Sequence, residues 1–423
     1  MATKTPSRSE EAVLAPLAKL LPDLVSLYKD IHEHPELAMH ETRTAGVLAD
    51  RLRAAGYDVT TGVGKTGVVG LLRNGDGPVV LLRSELDALP VKEETGLPYA
   101  STVTVTTSDG KTVPVAHACG HDMHMACLIG AATLFAQSRD AWKGTLFVLF
   151  QPAEETLAGA RAMLDDGLFE RFPKPTIALA QHVMAMPAGN LYWRAGPITS
   201  ACDNQRVQLF GRGAHGSMPQ DSIDPVVMAA ATVMRLQTIV SREVAPGEEA
   251  VVTVGVLQAG TSANVIPAEA LLELTTRTFD AGVRKRVLAA IKRIVKAEAE
   301  ASGTPKPPTI TSLGSTDSVV NDPQATKRVV DDFLGYFPAD RVHETTPSSA
   351  SEDFSLYGTR GHVPEVFWFL GGTDPQLYAK AKAAATLDEI PTNHNPRFAP
   401  VIHPTLETGV EALVVAARAW LSP

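Results

Sequence analysis

Apolar residues near the start of the chain first follow helical spacing and then form short continuous runs. Leucine and valine recur every three or four positions in residues 11–30 and 41–55, which predicts two helices. Gly56 follows the second of these segments and provides a helix stop. Two short apolar segments, residues 68–73 and 79–83, come next and predict β-strands. The opening part of the chain therefore predicts a helical layer followed by a sheet.

The same alternation continues further along the chain. Residues 121–137 predict a helix, whereas residues 145–150 and 176–180 are apolar runs that predict buried strands. The last part of the chain returns to this pattern with a strand at 366–370 and a final helix at 406–421. Strands that alternate with helices are typical of a mainly parallel sheet covered by helices, so the predicted fold class is α/β.

Residues 199–311 have a different order of elements: strand, helix, strand, strand, helix. The predicted elements are residues 205–210, 225–242, 251–257, 270–279 and 282–302. This order predicts one antiparallel sheet with two helices on one face. We interpret the Pro-rich residues 305–308 as a linker that leaves this block. Because a chain of 423 residues exceeds one ordinary core, we expect a catalytic domain, residues 1–198 and 312–423, interrupted by a smaller α+β domain at 199–311.

Composition narrows the classes of partner and compartment. The net charge of -9 argues against a nucleic acid or an anionic membrane as partner, because phosphate binding needs clustered Lys and Arg. The cysteines Cys119, Cys127 and Cys202 are too few for a disulfide framework and suit a reducing compartment. The first residues lack an apolar run of the signal-peptide type, and no run reaches the length of a membrane span. We therefore expect a cytoplasmic protein.

Side chains that bind metals follow several of the predicted strands. Arg83-Ser84-Glu85-Leu86-Asp87 follows one strand, Glu154 and Glu155 follow another, and His182 comes shortly after a third. In an open α/β sheet, ligands bind just beyond the carboxyl ends of the strands. We therefore expect these groups to converge on one crevice.

A second cluster, His117-Ala-Cys-Gly-His-Asp-Met-His124, begins the helix predicted at residues 121–137. A thiolate at Cys119 and an imidazole at His121 are suitable metal ligands. The adjacent acids Glu154 and Glu155 fit one ligand and one free base, as metal-assisted hydrolysis requires. Each signal alone also fits a structural role, such as a buried cysteine, a solvated acidic turn or a rim histidine. Together with His394, far along the chain, they favour a metal-dependent hydrolase.

Ordered motifs along nearly the whole chain, starting at His32-Glu-His-Pro-Glu36, connect it to a known family. The most specific are HACGHDMH from His117, QPAEE from Gln151, GAHGSMP from Gly213, NVIP from Asn264, SEDF from Ser351 and NHNPRF from Asn393. With these motifs the chain resembles the metal-dependent aminoacylase and carboxypeptidase family. The resemblance is strongest to its amidohydrolase branch, which includes hippurate hydrolases, N-acyl-amino-acid amidohydrolases and auxin-conjugate hydrolases.

The resemblance implies roles for the residues at the strand ends. It implies two divalent metal ions, zinc, manganese or cobalt, with Cys119 as the bridging ligand and Glu154 as the general base and later the general acid. Asp87 would orient a ligand. The other implied metal ligands are His121, Glu155, His182 and His394. The family often has Ala-Asp where this chain has Ser84-Glu85, which leaves the role of Glu85 open.

For the inserted domain, the resemblance implies a lid and a homodimer. His215 would donate to the oxyanion, often across the dimer interface, and Asn264 and Arg277 would hold the polar end of the substrate. Taken by themselves, His215 also fits a solvent-exposed turn, and Arg277 fits an ion pair on a sheet face.

These observations predict metal-dependent hydrolysis of the amide bond of N-acyl amino acids or related small amides. Glu154 would act as general base for a metal-activated water. One alternative is a dipeptidase or carboxypeptidase of the same family. The other is a binding protein without activity, which the intact set of ligands and base disfavours. The acyl group and the amino acid depend on a pocket whose shape the sequence does not give.

Overall fold

The structure is a computed structural model that describes residues 12–108 and 110–421. Residue 11, where the first predicted helix begins, and the ends of the first predicted domain lie outside the described residues. The chain divides into two compact units. The first unit comprises the residues up to Ile198, Val319–Thr346 and the residues from Asp353 onward, and the second comprises Thr199–Ser318 and Pro347–Glu352.

The elements are numbered along the whole chain. The helices are α1 (Leu17–Glu33), α2 (Thr42–Ala54), α3 (His121–Gln137), α4 (Gly159–Asp165), α5 (Leu168–Arg171), α6 (Pro225–Arg242), α7 (Ala281–Ala301), α8 (Pro323–Tyr336), α9 (Ser355–Thr359), α10 (Pro375–Ala384) and α11 (Ile402–Arg418). The strands are β1 (Asp58–Val63), β2 (Gly67–Asn74), β3 (Val79–Glu85), β4 (Thr104–Thr106), β5 (Thr112–Pro114), β6 (Gly144–Gln151), β7 (Ile177–Pro187), β8 (Leu191–Trp193), β9 (Gly196–Pro197), β10 (Ala201–Phe210), β11 (Ala214–His215), β12 (Ala250–Ala259), β13 (Val265–Ile266), β14 (Glu269–Thr278), β15 (Thr309–Thr316), β16 (Val320–Asn321), β17 (Val342–Glu344) and β18 (Glu365–Thr373).

An eight-stranded sheet in the order β1-β2-β6-β3-β7-β18-β8-β17 organises the first unit. The central pairs β6/β3, β3/β7 and β7/β18 are parallel, whereas β1 and β2 add an antiparallel edge. Val80 and Leu82 of β3 belong to the apolar cluster that includes α3 and α11, and Leu81 belongs to the cluster that includes α4 and α9. Because successive strand residues point to opposite faces, the sheet is buried on both sides. This confirms the predicted α/β class.

Three helices begin with the same local signal, an aspartate followed by proline. Asp224, Asp322 and Asp374 each accept hydrogen bonds from backbone N–H groups of the first turn of α6, α8 and α10. A carboxylate at this position satisfies donors that have no partner within the helix, and proline at the first helical position lacks an N–H to satisfy. The start of each helix is therefore fixed by two adjacent residues.

The second unit contains a four-stranded antiparallel sheet in the order β12-β14-β10-β15. Leu209 and Leu272 of the sheet share an apolar cluster with Leu236 of α6 and Ile291 of α7. The edge strand β15 was not predicted, and most of its residues are at least partly exposed. Residues 305–308 connect α7 to β15 rather than leaving the block, and the boundary placed at 311/312 falls inside this strand.

Among the described residues, no helix has both the length and the apolar character that a membrane crossing requires.

Candidate active site

The turn before α3 brings two donor side chains to the same place. Gly120, between Cys119 and His121, has φ +84° and begins the helix. A Cβ atom at this position would lie 2.3 Å from Cγ1 of Val183. The turn therefore requires glycine for its backbone conformation and for the close approach of β7.

His182 lies within a strand, so the prediction that it follows the end of this strand was wrong. Strand β7 continues to Pro187, and His182 pairs with Phe369 of β18. The neighbouring β3, however, pairs with β7 only as far as Ala180. His182 therefore lies just past the last residue of β7 that pairs with β3, and its Nε2 is 3.4 Å from Sγ of Cys119. Cys119 and His182 thus meet where the pairing of β7 with β3 ends.

The candidate donor atoms form three overlapping groups, and the atoms within each group lie within 4.8 Å of one another. The groups are Cys119, His121 and His182; Cys119, Glu155 and His394; and His121, Glu154 and Glu155. All six residues belong to the first unit. Cys119 is common to the first two groups, so one sulfur atom lies near both sets of potential donors.

The tautomers of two histidines follow from their hydrogen bonds. Nδ1 of His121 lies 2.8 Å from the carbonyl oxygen of Asp87, and Nδ1 of His182 lies 2.8 Å from that of Val183. A carbonyl oxygen only accepts, so each Nδ1 carries the hydrogen, and in the neutral ring Nε2 carries the lone pair. Nε2 of His121 is buried without a hydrogen-bond partner among the described residues, as is Oε1 of Glu155. Unpartnered buried acceptors of this kind fit a cation.

His394 is held less firmly than the other donors. Its backbone is in the left-handed region at φ +70°, and its N–H donates to the carbonyl of Ala118 at 2.7 Å. Nε2 lies 3.3 Å from Oε2 of Glu155, but the side chain is 56% exposed. The loop backbone therefore positions this histidine, and its ring remains partly in solvent.

The electrostatic environment around His121 and Cys119 favours positive charge. Burial lowers the pKa of His121, but the hydrogen bond to Asp87 and the charges of Glu85 and Glu155 raise it to about 10. Burial and the charges of Glu155 and Glu154 raise the pKa of the Cys119 thiol well above its usual value. A proton or a metal cation would relieve this excess of negative charge, and a coordinated thiol loses its proton.

Asp87 holds the backbone of the two acids. Its Oδ1 accepts the N–H of Glu154 at 3.1 Å, and its Oδ2 accepts that of Glu155 at 3.0 Å. The same carboxylate is 3.5 Å from Nδ1 of His121. Glu154 is buried, and its Oε2 lies 3.9 Å from Nε2 of His121. Asp87 thus connects the acidic turn to a donor histidine.

Comparison with known proteins places the chain in a family. Residues 81–414 match Peptidase family M20/M25/M40. The chain belongs to this family. An N-acetyl-L-cysteine deacetylase of Bacillus subtilis is 35% identical, over 86% of this chain and 83% of that protein. A hippurate hydrolase of Campylobacter jejuni is 39% identical, over 67% of this chain and 73% of that protein.

A solved structure supports the same conclusion. The Bacillus subtilis YXEP protein, described as a dinuclear metal-binding peptidase from the M20 family, superimposes with a TM-score of 0.75 and 29% identity. The match covers 95% of this chain and 98% of that one. The chain is therefore an M20 hydrolase, which confirms the predicted enzyme class and the resemblance seen in the motifs.

The M20 chain also contains buried polar groups that sequence reasoning missed. Glu41 is buried and accepts the N–H of Ala153 at 2.8 Å, where the backbone has φ +50°. His32, at the start of the first motif, lies 2.6 Å from Asp122 and 3.0 Å from Glu93. The motifs that begin at His32 and His117 contain two members of this cluster, His32 and Asp122, but nothing in the sequence indicated that they meet or what role Glu41 has.

The residues predicted to form a lid lie in the second unit. His215 is exposed, and its Nδ1 lies 2.7 Å from Oγ of Ser217. Asn264 is also exposed; its side chain accepts from Ser262 at 2.7 Å, and its carbonyl accepts the N–H of Gly216 at 2.8 Å. The structure thus brings the segments of His215 and Asn264 together.

Arg277 lies on β14 in the second unit. Its Nη1 is buried without a hydrogen-bond partner, and it forms no ion pair among the described residues. The alternative of an ion pair on the sheet face therefore finds no support.

Proposed function

We propose that this M20 hydrolase cleaves the amide bond of N-acyl amino acids or related small amides. The observation that supports the proposal is the convergence of metal donors and an adjacent carboxylate, Glu154, on one buried cluster. Two relatives that are more than a third identical to this chain are named as a deacetylase of N-acetyl-L-cysteine and a hippurate hydrolase. Both names describe amides formed on small amino acids.

The residues present fit two divalent cations. The proposed ligands are Cys119, His121, Glu155, His182 and His394. With the hydrogen on Nδ1, the neutral rings of His121 and His182 each keep a lone pair on Nε2, and Glu155 has a buried oxygen without a hydrogen-bond partner among the described residues. When bound, the cations would supply a water of lowered pKa and would polarise the substrate carbonyl. Thiolate, imidazole and carboxylate ligands suit zinc, manganese or cobalt.

In the proposed reaction Glu154 moves the protons. It accepts a proton from the attacking water and later delivers it to the leaving amine. Asp87 fixes the backbone of Glu154 through the 3.1 Å hydrogen bond, so the carboxylate is positioned before substrate binds. His215 donates to the oxyanion, and the planar guanidinium of Arg277 binds the substrate carboxylate together with Asn264.

The proposal also assigns a role to the inserted unit. With its His215 loop it would act as a lid that excludes water, and its surface would form a homodimer. The motifs of Gly213–Pro219 and Asn264–Pro267 support this assignment by their resemblance to the family. Light scattering should give twice the chain mass of 44.9 kDa, and a monomer would contradict the dimer.

A substrate panel tests the proposal. Metal-free protein is reconstituted separately with zinc, manganese and cobalt and incubated with N-acetyl, N-benzoyl and long-chain N-acyl amino acids, and with free dipeptides. We expect release of the amino acid from at least one acylated series and no release by chelated protein. Cleavage of free dipeptides alone would establish the peptidase alternative, and no cleavage of any compound would favour a binding protein.

A further inference from the structure

The third histidine of the HACGHDMH motif, His124, lies next to the donor cluster but has no role in the proposed reaction. Together with Glu85 and His121 it forms a further group of potential metal donors. Its hydrogen bonds assign it another task. Nδ1 lies 2.8 Å from Oε2 of Glu85, and Nε2 accepts the backbone N–H of Val183 at 2.7 Å. Both ring nitrogens of His124 are thus engaged, which leaves neither lone pair for a metal.

The backbone N–H that His124 binds lies on β7, beyond the point where β7 pairs with β3. Strand β7 continues past Ala180, where its pairing with β3 ends, so the N–H and C=O of Val183 have no partner from β3. Side chains take these positions instead. His124 accepts from the N–H of Val183, while Nδ1 of His182 and Nδ2 of Asn393, at 3.0 Å, donate to its C=O. The carbonyl that sets the tautomer of His182 therefore belongs to the residue that His124 holds.

Glu85 anchors His124 from the end of β3. Its carboxylate is fully buried and pairs with the Arg83 guanidinium as well as with His124. The hydrogen bond to Glu85 requires the hydrogen of His124 on Nδ1, which makes Nε2 the acceptor that Val183 needs. The glutamate at a position where the family often has aspartate thus reaches the ring from the last residue of β3.

We propose that Glu85 and His124 are positioning residues. The side chain of His124, held by Glu85 at the end of β3, binds the backbone N–H of Val183 in the place of a further residue of β3. They fix Val183 so that its carbonyl keeps the hydrogen of His182 on Nδ1 and the lone pair of Nε2 directed at Cys119. This inference rests on the proposed metal site but not on the proposed substrate. Substitution of a residue that orients a ligand histidine typically lowers the metal affinity about 10–100-fold.

Two polar substitutions that differ by one methylene separate this role from simple loss of packing. In His124→Asn the side-chain amide ends near the former Nδ1, so it contacts Glu85 but leaves the N–H of Val183 without an acceptor. In His124→Gln the amide oxygen reaches the former Nε2 and accepts that N–H. We expect the affinity for zinc, measured by competition with a chromophoric chelator, to fall about 10–100-fold in His124→Asn and only a few-fold in His124→Gln.

A second measurement observes His182 directly. Long-range ¹H–¹⁵N spectra of metal-free, ¹⁵N-histidine-labelled protein should show His182 protonated on Nδ1 in the wild type and in His124→Gln, and as a mixture of tautomers in His124→Asn. Gln181→Leu is the matched control, because Gln181 is buried one residue before His182 and bonds to Gly409 and Trp368. It should lower stability without changing the affinity for zinc or the tautomer.

The outcomes distinguish the two proposals. Wild-type affinity and an unchanged tautomer in His124→Asn would overturn the positioning role. Loss of one zinc per chain in both His124 variants would overturn it in favour of a direct ligand. If the wild type retained no zinc at all, the proposed metal site would fail. If His124→Asn does not fold, the tautomer of His182 is measured in Glu85→Gln instead. A mixture of tautomers in that variant would support the positioning role, and a single Nδ1 tautomer would contradict it.

Discussion

The two units hold their candidate functional residues in different ways. In the first unit, Cys119, His121 and Glu154 are buried, and backbone groups or carboxylates fix their positions. In the second unit, His215 and Asn264 are exposed, and their side chains bond only to serines two residues away.

The candidate functional residues of the first unit are therefore preorganised, whereas those of the second unit can adjust. Buried donors that are already in position need no reorganisation during the reaction. Because burial removes them from water, however, they need several hydrogen-bond partners to offset the cost of desolvation. Exposed side chains with local partners contribute little to folding, so they are free to act only when substrate binds. Substitutions of the candidate metal ligands and the groups that hold them should therefore affect stability or metal binding as well as turnover, whereas those of the exposed lid residues should affect turnover alone.

The largest effect on turnover is expected for Glu154→Gln. Glutamine keeps the size of the side chain but cannot accept and return a proton, so kcat should fall about 10²–10⁴-fold. Zinc content, measured by mass spectrometry of the purified protein, should stay at the wild-type level. Glu155→Gln is the control that should lose metal instead. Near-wild-type turnover in Glu154→Gln would refute the assignment of the base.

His215→Ala tests the second unit. If His215 donates to the oxyanion, kcat should fall about 10²–10³-fold. Because the side chain is exposed, the free energy of unfolding should change by less than about 0.5 kcal/mol. Ser217→Ala removes only its neighbour at 2.7 Å and should have a smaller effect on kcat. An unchanged kcat in His215→Ala would contradict the assignment of His215 as a donor to the oxyanion.

Local signals allowed much of the fold to be predicted. Helix α6 was predicted with both ends at Pro225 and Arg242, since an Asp-Pro start and a regular apolar face are encoded in adjacent residues. The edge strand β15 was missed because Ile310 is the one residue of this strand that packs against the apolar cluster. A single apolar contact produces no alternating pattern in the sequence. Such a strand is defined by its pairing with β10, which no short segment of sequence encodes.

The site shows the same limit. The candidate donor residues could be named because their types and motifs are distinctive even when they are far apart. Glu41 was missed because its meaning depends on Ala153, 112 residues further along the chain. The position of His182 just past the end of the β3/β7 pairing depends on two strands that only folding brings side by side. Chemistry was therefore readable from residue type, whereas the contacts that position it were not.

A smaller effect is expected for Asp87→Asn in the first unit. An asparagine retains one acceptor oxygen, but its NH₂ group would face one of the two N–H donors of Glu154 and Glu155. Turnover or zinc affinity should fall about 10–100-fold. Glu36→Gln is the matched control, because Glu36 also holds two consecutive N–H groups, those of Arg43 and Thr44. An equal loss of turnover in the control would show a general effect on folding instead.

The smallest effect on turnover is expected for His32→Gln, which should act on stability. Burial lowers the pKa of His32, but hydrogen bonds with Asp122 and Glu93 raise it to about 10. An unfolded histidine titrates near 6.5, so the contribution of the charged ring is complete below that pH and is lost as pH rises towards 10.

At pH 7 the variant should be less stable than the wild type by about 1–3 kcal/mol, and this difference should shrink between pH 7 and pH 10. Urea unfolding of metal-free protein at each pH measures it, with the exposed His34→Gln as control. A difference that stays constant from pH 7 to pH 10 would mean that His32 is neutral in the folded protein, and the buried cluster would then be held by hydrogen bonds without a charge on the ring.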